Sequence, residues 1–144
     1  MDQFGRLIKR AQHKLHTVMT KHLQPYGITV PQYATLSVIQ SMSPISGAAL
    51  ARETFVTPQT IHTLLVSLEQ KSLIERTVKA GNAKSLDIRL TSKGTNILAE
   101  TTREIDRITN QSEAIFNEHE IAYMKQKIAL YEISLDDLLK EVTY

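Results

Sequence analysis

The chain has 144 residues, 42% of them hydrophobic and 22% charged. These are the proportions of one ordinary folded domain, not of a disordered or low-complexity chain. Cysteine is absent, which removes disulfides, thiolate metal sites, cysteine nucleophiles and thiol redox switches together. The net charge of +2 hides a division: residues 1–23 carry five basic side chains against one acid, residues 24–99 seven against four, and residues 100–144 five against ten. A basic front and an acidic tail fit a molecule with one surface turned to a polyanion.

No apolar run reaches the roughly 20 residues of a membrane-spanning helix. Met1–Arg10 lacks the apolar stretch of a secretory leader. A cytoplasmic protein without membrane contact is expected.

The first predicted helix runs from about Asp2 to Leu23, with Phe4, Leu7, Ile8, Ala11, Leu15, Val18 and Met19 on one stripe. Pro25 and Gly27 end it. A second helix starts at Pro31, buries Tyr33, Leu36, Ile39 and Val38, and stops at Ser43-Pro44. A short third helix spans about Ser46 to Glu53, with Leu50 and Ala51 inward. The fourth has the clearest start: Thr57 as N-cap ahead of Pro58, then Ile61, Leu64, Leu65 and Leu68 on one face.

The period then changes. Ile74–Lys79 and Ser85–Leu90 read as strands, the second alternating Leu86, Ile88 and Leu90 with polar residues. Ala80-Gly81-Asn82 supplies the turn of a hairpin. Thr91 caps a long helix to about Phe116, with Ile97, Ile105, Ile108 and Ile115 at near-heptad spacing and Thr101 among them. Asn117-x-x-Glu120 opens a final helix whose apolar face holds Ile121, Met124, Ile128, Tyr131, Leu135 and Leu138.

The predicted class is therefore mainly α with a small β-hairpin. Two short helices followed by a hairpin form the layout of a winged helix-turn-helix. A helix of this width fits the major groove, and its N-terminal residues reach base edges. Opposite its leucines the fourth helix carries Gln59, Thr60, His62, Thr63 and Ser67, hydrogen-bonding groups with no acid until Glu69. An ordinary solvated face would carry Glu and Lys. Gln59 can pair bidentately with adenine, and Thr60 or Thr63 can meet a phosphate or a thymine methyl. Along the hairpin, Arg76, Lys79 and Lys84 can neutralise phosphates, with Asn82 at the turn.

The stretches GITVPQYATLSVI, LARETFVTPQTIHTLLVSLEQKSLIERTV and LDIRLTSKG, which run from Gly27 to Gly94, resemble the MarR family of bacterial regulators. The LxxLExxxLIER element and the closing LTxKG carry the resemblance in combination. It implies a homodimer of winged-helix lobes, each about 30–92, joined through helical extensions at about 1–25 and 95–144 within a single domain spanning 1–144. It implies binding of double-stranded DNA at a pseudo-palindromic operator, with Thr57, Pro58, Gln59, Thr60, His62, Thr63 and Ser67 on the recognition helix and Arg76, Lys79, Asn82 and Lys84 on the wing. A repressor released by a small acidic or phenolic effector is the expected mode, with Lys9, His13 and Tyr33 at the effector pocket. Four positions depart from the family pattern. Asn82-Ala83-Lys84 stands for Asp-x-Arg, Pro58 for an Arg, and Ser72 for a Gly.

Two other readings are weaker. A winged helix used for protein–protein interaction would also tolerate a neutral recognition helix. An enzyme would need a phosphate loop, nucleophile elbow or metal-hydrolase motif, and the sequence has none; no catalytic residue is assigned, and Asp136-Asp137 reads as a solvated helix surface. His13 and His16 share a helix face, and His22, His62 and His119 are scattered, so no metal and no cofactor is expected.

Overall fold

The computed structural model describes residues 3–79 and 82–142, and the side chains of 3–78 and 87–142. The elements run in the expected order: α1 (Phe4–Leu23), a 3-10 turn (Gln24–Tyr26), α2 (Val30–Met42), α3 (Gly47–Glu53), α4 (Pro58–Gln70), β1 (Ile74–Lys79), β2 (Asn82–Leu90), α5 (Ser92–Glu113) and α6 (Glu118–Glu141). By its contacts the chain forms two compact units, Met1–Ile105 and Asp106–Tyr144. Their boundary falls inside α5, and α1 lies in the same unit as the helix-turn-helix.

Local sequence explains most element ends. Thr29 caps α2 in a full capping box: its side chain accepts from Gln32 N, and the Gln32 side chain accepts from Thr29 N. The helix so starts at Val30, one residue before the expected Pro31. Ser46 caps α3 and Thr57 caps α4, each accepting from a backbone N–H three residues on. Asn117 and Glu120 form the capping box expected for α6.

The end of α4 is a Schellman motif. Leu73 N–H donates to Leu68 O at 3.0 Å and Ser72 N–H to Glu69 O at 2.9 Å. Ser72 takes the left-handed conformation this motif needs, with φ 59°. The next connection is equally tight. Thr91 N–H donates to Leu73 O at 3.1 Å, Thr91 Oγ1 donates to Ser72 O at 2.7 Å, and Gly94 N–H donates back to Thr91 Oγ1 at 3.0 Å. A Cβ on Gly94 would lie 1.9 Å from the Leu73 carbonyl oxygen. The LTxKG motif thus joins the hairpin to α5 by stacking two backbones with no room for a side chain.

The core of the first unit gathers Leu36, Ile39, Leu50, Ile61, Leu65, Leu68, Ile88 and Leu98, joined by Ile28, Ile45, Leu73 and Ile74. The expected inward positions of α3 and α4 are present, while Tyr33, Val38, Leu64 and Leu90 are only partly buried against this core. Ile45 adds a point of sheet the sequence did not announce: it bridges Ile88 antiparallel, with Ile88 N–H donating to Ile45 O at 3.3 Å.

Other apolar stripes stay uncovered in the single chain. On α1, Phe4, Leu7, Leu15 and Val18 are exposed, and only Leu23 is buried. Helix α5 ends at Glu113, before the expected Phe116, and Ile115 is 79% exposed. Helix α6 has no buried residue. An amphipathic stripe says which face is apolar, not what covers it.

Candidate nucleic-acid interface

Helix α4 is rooted by Ile61, Leu65 and Leu68 and shows its other face to solvent. Pro58, Gln59, Thr60, His62 and Thr63 are all exposed. At its start the Thr57 hydroxyl accepts from Thr60 N–H at 3.1 Å and donates to Thr60 Oγ1 at 2.9 Å, which leaves the Thr60 proton to donate outward. The Thr63 hydroxyl donates to Gln59 O at 3.2 Å and keeps its acceptor capacity. The Gln59 amide and the His62 ring are exposed beside these hydroxyls. The set is uncharged and rich in donors and acceptors, which suits the edges of base pairs.

Ser67 does not join this face. It is half-buried, and its Oγ accepts from the Gln32 amide at 2.9 Å. Gln32 Oε1 accepts in turn from Thr29 N–H at 3.1 Å and from Lys71 Nζ at 3.0 Å, while Lys71 also donates to Gly27 O at 2.7 Å. Five residues thereby tie the C-terminal half of α4 and its cap to the start of α2. Sequence pattern missed this cluster, because a polar residue on a polar stripe looks solvated until the neighbouring helix is placed.

The hairpin pairs β1 with β2 antiparallel, Ile74 against Leu90 through Val78 against Leu86, with a bulge before Lys79 pairs with Asn82. The side chains of Lys79, Asn82 and Lys84 lie outside the described residues. Arg76 is described, and it turns inward to α4: Nε donates to Glu69 Oε2 at 3.0 Å and a terminal nitrogen meets the same oxygen. That guanidinium holds the Glu69 carboxyl below its usual value near 4.5. Lys93 Nζ donates to Lys71 O at 3.1 Å, at the same C-terminal end of α4, whereas Arg89 is exposed on β2.

Of the expected effector residues, Lys9 and His13 are exposed one turn apart on α1, and Tyr33 is half-buried on α2 with its hydroxyl 3.5 Å from Thr102 Oγ1. His22 Nδ1 and Glu104 Oε1 are 2.6 Å apart and join α1 to α5. An open groove of about 420 Å³ lies elsewhere, in the second unit, lined by Asn110, Glu113, Phe116, Asn117, Ile121 and Lys125 among others. No group of three or more His, Asp or Glu suited to a metal occurs among the described residues, and none of their helices is long and apolar enough to cross a membrane.

A helix pair with an exposed polar second helix, followed by an antiparallel hairpin bridged by Ile45, defines a winged helix-turn-helix. Residues 26–85 match the model of the MarR family. It is 32% identical over 90 residues to the HTH-type transcriptional repressor Rv2887 of Mycobacterium tuberculosis, an alignment covering 62% of this chain and 65% of the relative. With the HTH-type transcriptional regulator MgrA of Staphylococcus aureus it shares 27% over 92 residues, covering 64% and 63%. The chain thus spans just under two thirds of the curated relatives it matches. Among solved structures, a transcriptional repressor, CouR, bound to a 23-mer DNA duplex superposes with TM-score 0.85 at 19% identity over 90% of this chain and 92% of that one. The MepR–DNA complex of S. aureus gives 0.84 at 24% identity over 92% and 96%. Rv2887 in complex with salicylic acid gives 0.72 at 24% over 91% and 97%. These structural likenesses carry the fold.

Proposed function

We propose that the chain is a DNA-binding transcriptional regulator that reads its operator with the N-terminal half of α4. The observation that carries this reading is the exposed, uncharged face of Gln59, Thr60, His62 and Thr63 on a helix whose opposite face is anchored in the core. Curated relatives named as transcriptional repressors and regulators support it, as do structural neighbours described as bound to DNA. Repression is the mode we assign, on the strength of the repressors among those relatives.

The regulator works as a homodimer on a pseudo-palindromic site. Leu7, Leu15 and Val18 on α1, and Ile128, Leu130, Ile133, Leu135 and Leu138 on α6, are all exposed in the single chain. Apolar faces of this extent call for a cover, and a second copy related by two-fold symmetry would match two half-sites to two recognition helices. Lys79, Lys84 and Asn82 serve as the wing's contacts in this reading. A small acidic or phenolic effector binds at Lys9, His13 and Tyr33 and releases the DNA, by analogy with the salicylic acid complex of Rv2887.

The test is fluorescence anisotropy of the purified protein with DNA from upstream of its gene and with scrambled DNA, over a salt series. A specificity ratio of roughly a thousand with a steep salt slope is expected. Replacing Lys79 and Lys84 should weaken binding to every sequence and flatten that slope. Absence of binding to either DNA at low salt would overturn the reading and favour a winged helix that docks on protein.

A further inference from the structure

Among the described residues Phe55 is the most exposed large apolar side chain, at 95%. It stands in the turn between α3 and α4 with φ 56°, a left-handed conformation that Gly or Asn adopts at little cost and an aromatic residue does not. Two penalties coincide there, backbone strain and a phenyl ring left in water. With almost the whole ring exposed, packing within the chain offsets neither.

The turn itself is well held. Phe55 N–H donates to Arg52 O at 3.3 Å and Val56 N–H to Ala51 O at 3.1 Å. Val56 packs against the core, so its neighbours Phe55 and Thr57 are both turned outward. Thr57 is the N-cap of α4. The ring therefore projects two residues ahead of the helix end that carries Gln59 and Thr60. In a helix-turn-helix that end approaches the base edges. The apolar group that base pairs present in the major groove is the thymine C5-methyl, for which Phe is a suitable partner.

We propose that Phe55 is a specificity-determining residue that contacts a thymine methyl at the border of the groove entered by α4. This rests on the DNA-binding reading above. A duplex enriched from a random library by the wild-type protein supplies the probe, made again with each dT replaced in turn by dU. The variants are Phe55→Asn and Phe55→Gly, both of which suit the left-handed turn.

Neither variant should lower Tm. Both should bind the selected duplex about tenfold more weakly than wild type. Wild type should lose about three- to fivefold on the dU duplex lacking the contacted methyl, and the variants should lose nothing further on that duplex. Unchanged affinity of both variants, or an equal dU penalty in wild type and variants at every position, would overturn the proposal while leaving the regulator reading intact. If the wild-type protein enriches no sequence at all, both fail together.

Discussion

The Gln32 side-chain amide donates to Ser67 Oγ at 2.9 Å across the α2–α4 contact. Gln32 is only 5% exposed and uses its carbonyl for Thr29 N–H and the Lys71 ammonium as well. One buried side chain so completes a helix cap and fixes the recognition helix in place. Gln32→Leu keeps the approximate volume but removes the hydrogen bonds to Ser67 Oγ and from Thr29 N–H, while Lys71 keeps only Gly27 O. It should destabilise the fold by about 2 kcal/mol in a denaturant titration. Ser67→Ala should lose about 1 kcal/mol of stability and leave the affinity of the folded protein for DNA unchanged, whereas Gln59→Ala should lower affinity and leave stability alone. A loss of DNA affinity in Ser67→Ala at temperatures far below its Tm would return Ser67 to the DNA-facing set.

Gly94 is the second fixed point. Its missing Cβ would fall 1.9 Å from Leu73 O and 2.9 Å from Leu73 C, both backbone atoms, so no side-chain adjustment can relieve the clash. Gly94→Ala should destabilise by about 3 kcal/mol or more. The damage should concentrate at the hairpin–α5 joint, seen as faster amide exchange at Thr91 and Leu73, whose backbones are hydrogen-bonded to each other. Wild-type exchange rates at those amides would refute it.

These two sites mark what was legible in the chain. Caps and motif glycines act within a few residues of themselves, so Thr57-Pro58, Asn117-x-x-Glu120 and LTSKG could be read directly. The face of α4 was legible for Gln59, Thr60, His62 and Thr63, whose exposure follows from the leucine stripe opposite. Ser67 sits on the same stripe, yet its environment depends on Gln32, thirty-five positions away in the chain. The Ile45–Ile88 bridge and the burial of Leu98 are hidden for the same reason, being set by tertiary neighbours and not by local periodicity. The apolar stripes of α1 and α6 were legible as stripes. Periodicity alone does not say what covers them, because it does not distinguish a core face from an interface.

Ser72 occupies the left-handed position after the α4 C-cap, at φ 59°. The Schellman bonds around it come from backbone atoms alone, and its exposed side chain contributes no packing. Gly at that position would relieve the Cβ–carbonyl crowding. Ser72→Gly should therefore stabilise the protein by about 0.5–1 kcal/mol, raising Tm with no change in DNA specificity. A fall in Tm would mean that the serine hydroxyl does more than the geometry indicates.

Arg76 was expected on the wing as a phosphate contact, but it is committed to Glu69 through two nitrogens on one oxygen. The side chains are 20% and 41% exposed. The hydrogen bond from Arg76, with its charge, lowers the Glu69 pKa from near 4.5. A depressed folded-state value means that the unfolded chain takes up the proton first as pH falls. The stabilisation is therefore complete above the unfolded value near 4.5 and disappears as pH drops through the lower folded value. Solvent screening at Glu69 keeps it under about 1 kcal/mol. Urea melts from pH 6 down to pH 3 should show Glu69→Gln losing that increment at the upper end and converging on wild type at the lower end. At neutral pH the same variant releases Arg76 from its carboxylate, so it should bind DNA more tightly and with a steeper salt slope, while Arg76→Ala should leave the slope near the wild-type value. A slope flattened by Arg76→Ala would show that the guanidinium leaves Glu69 for phosphate when DNA is bound.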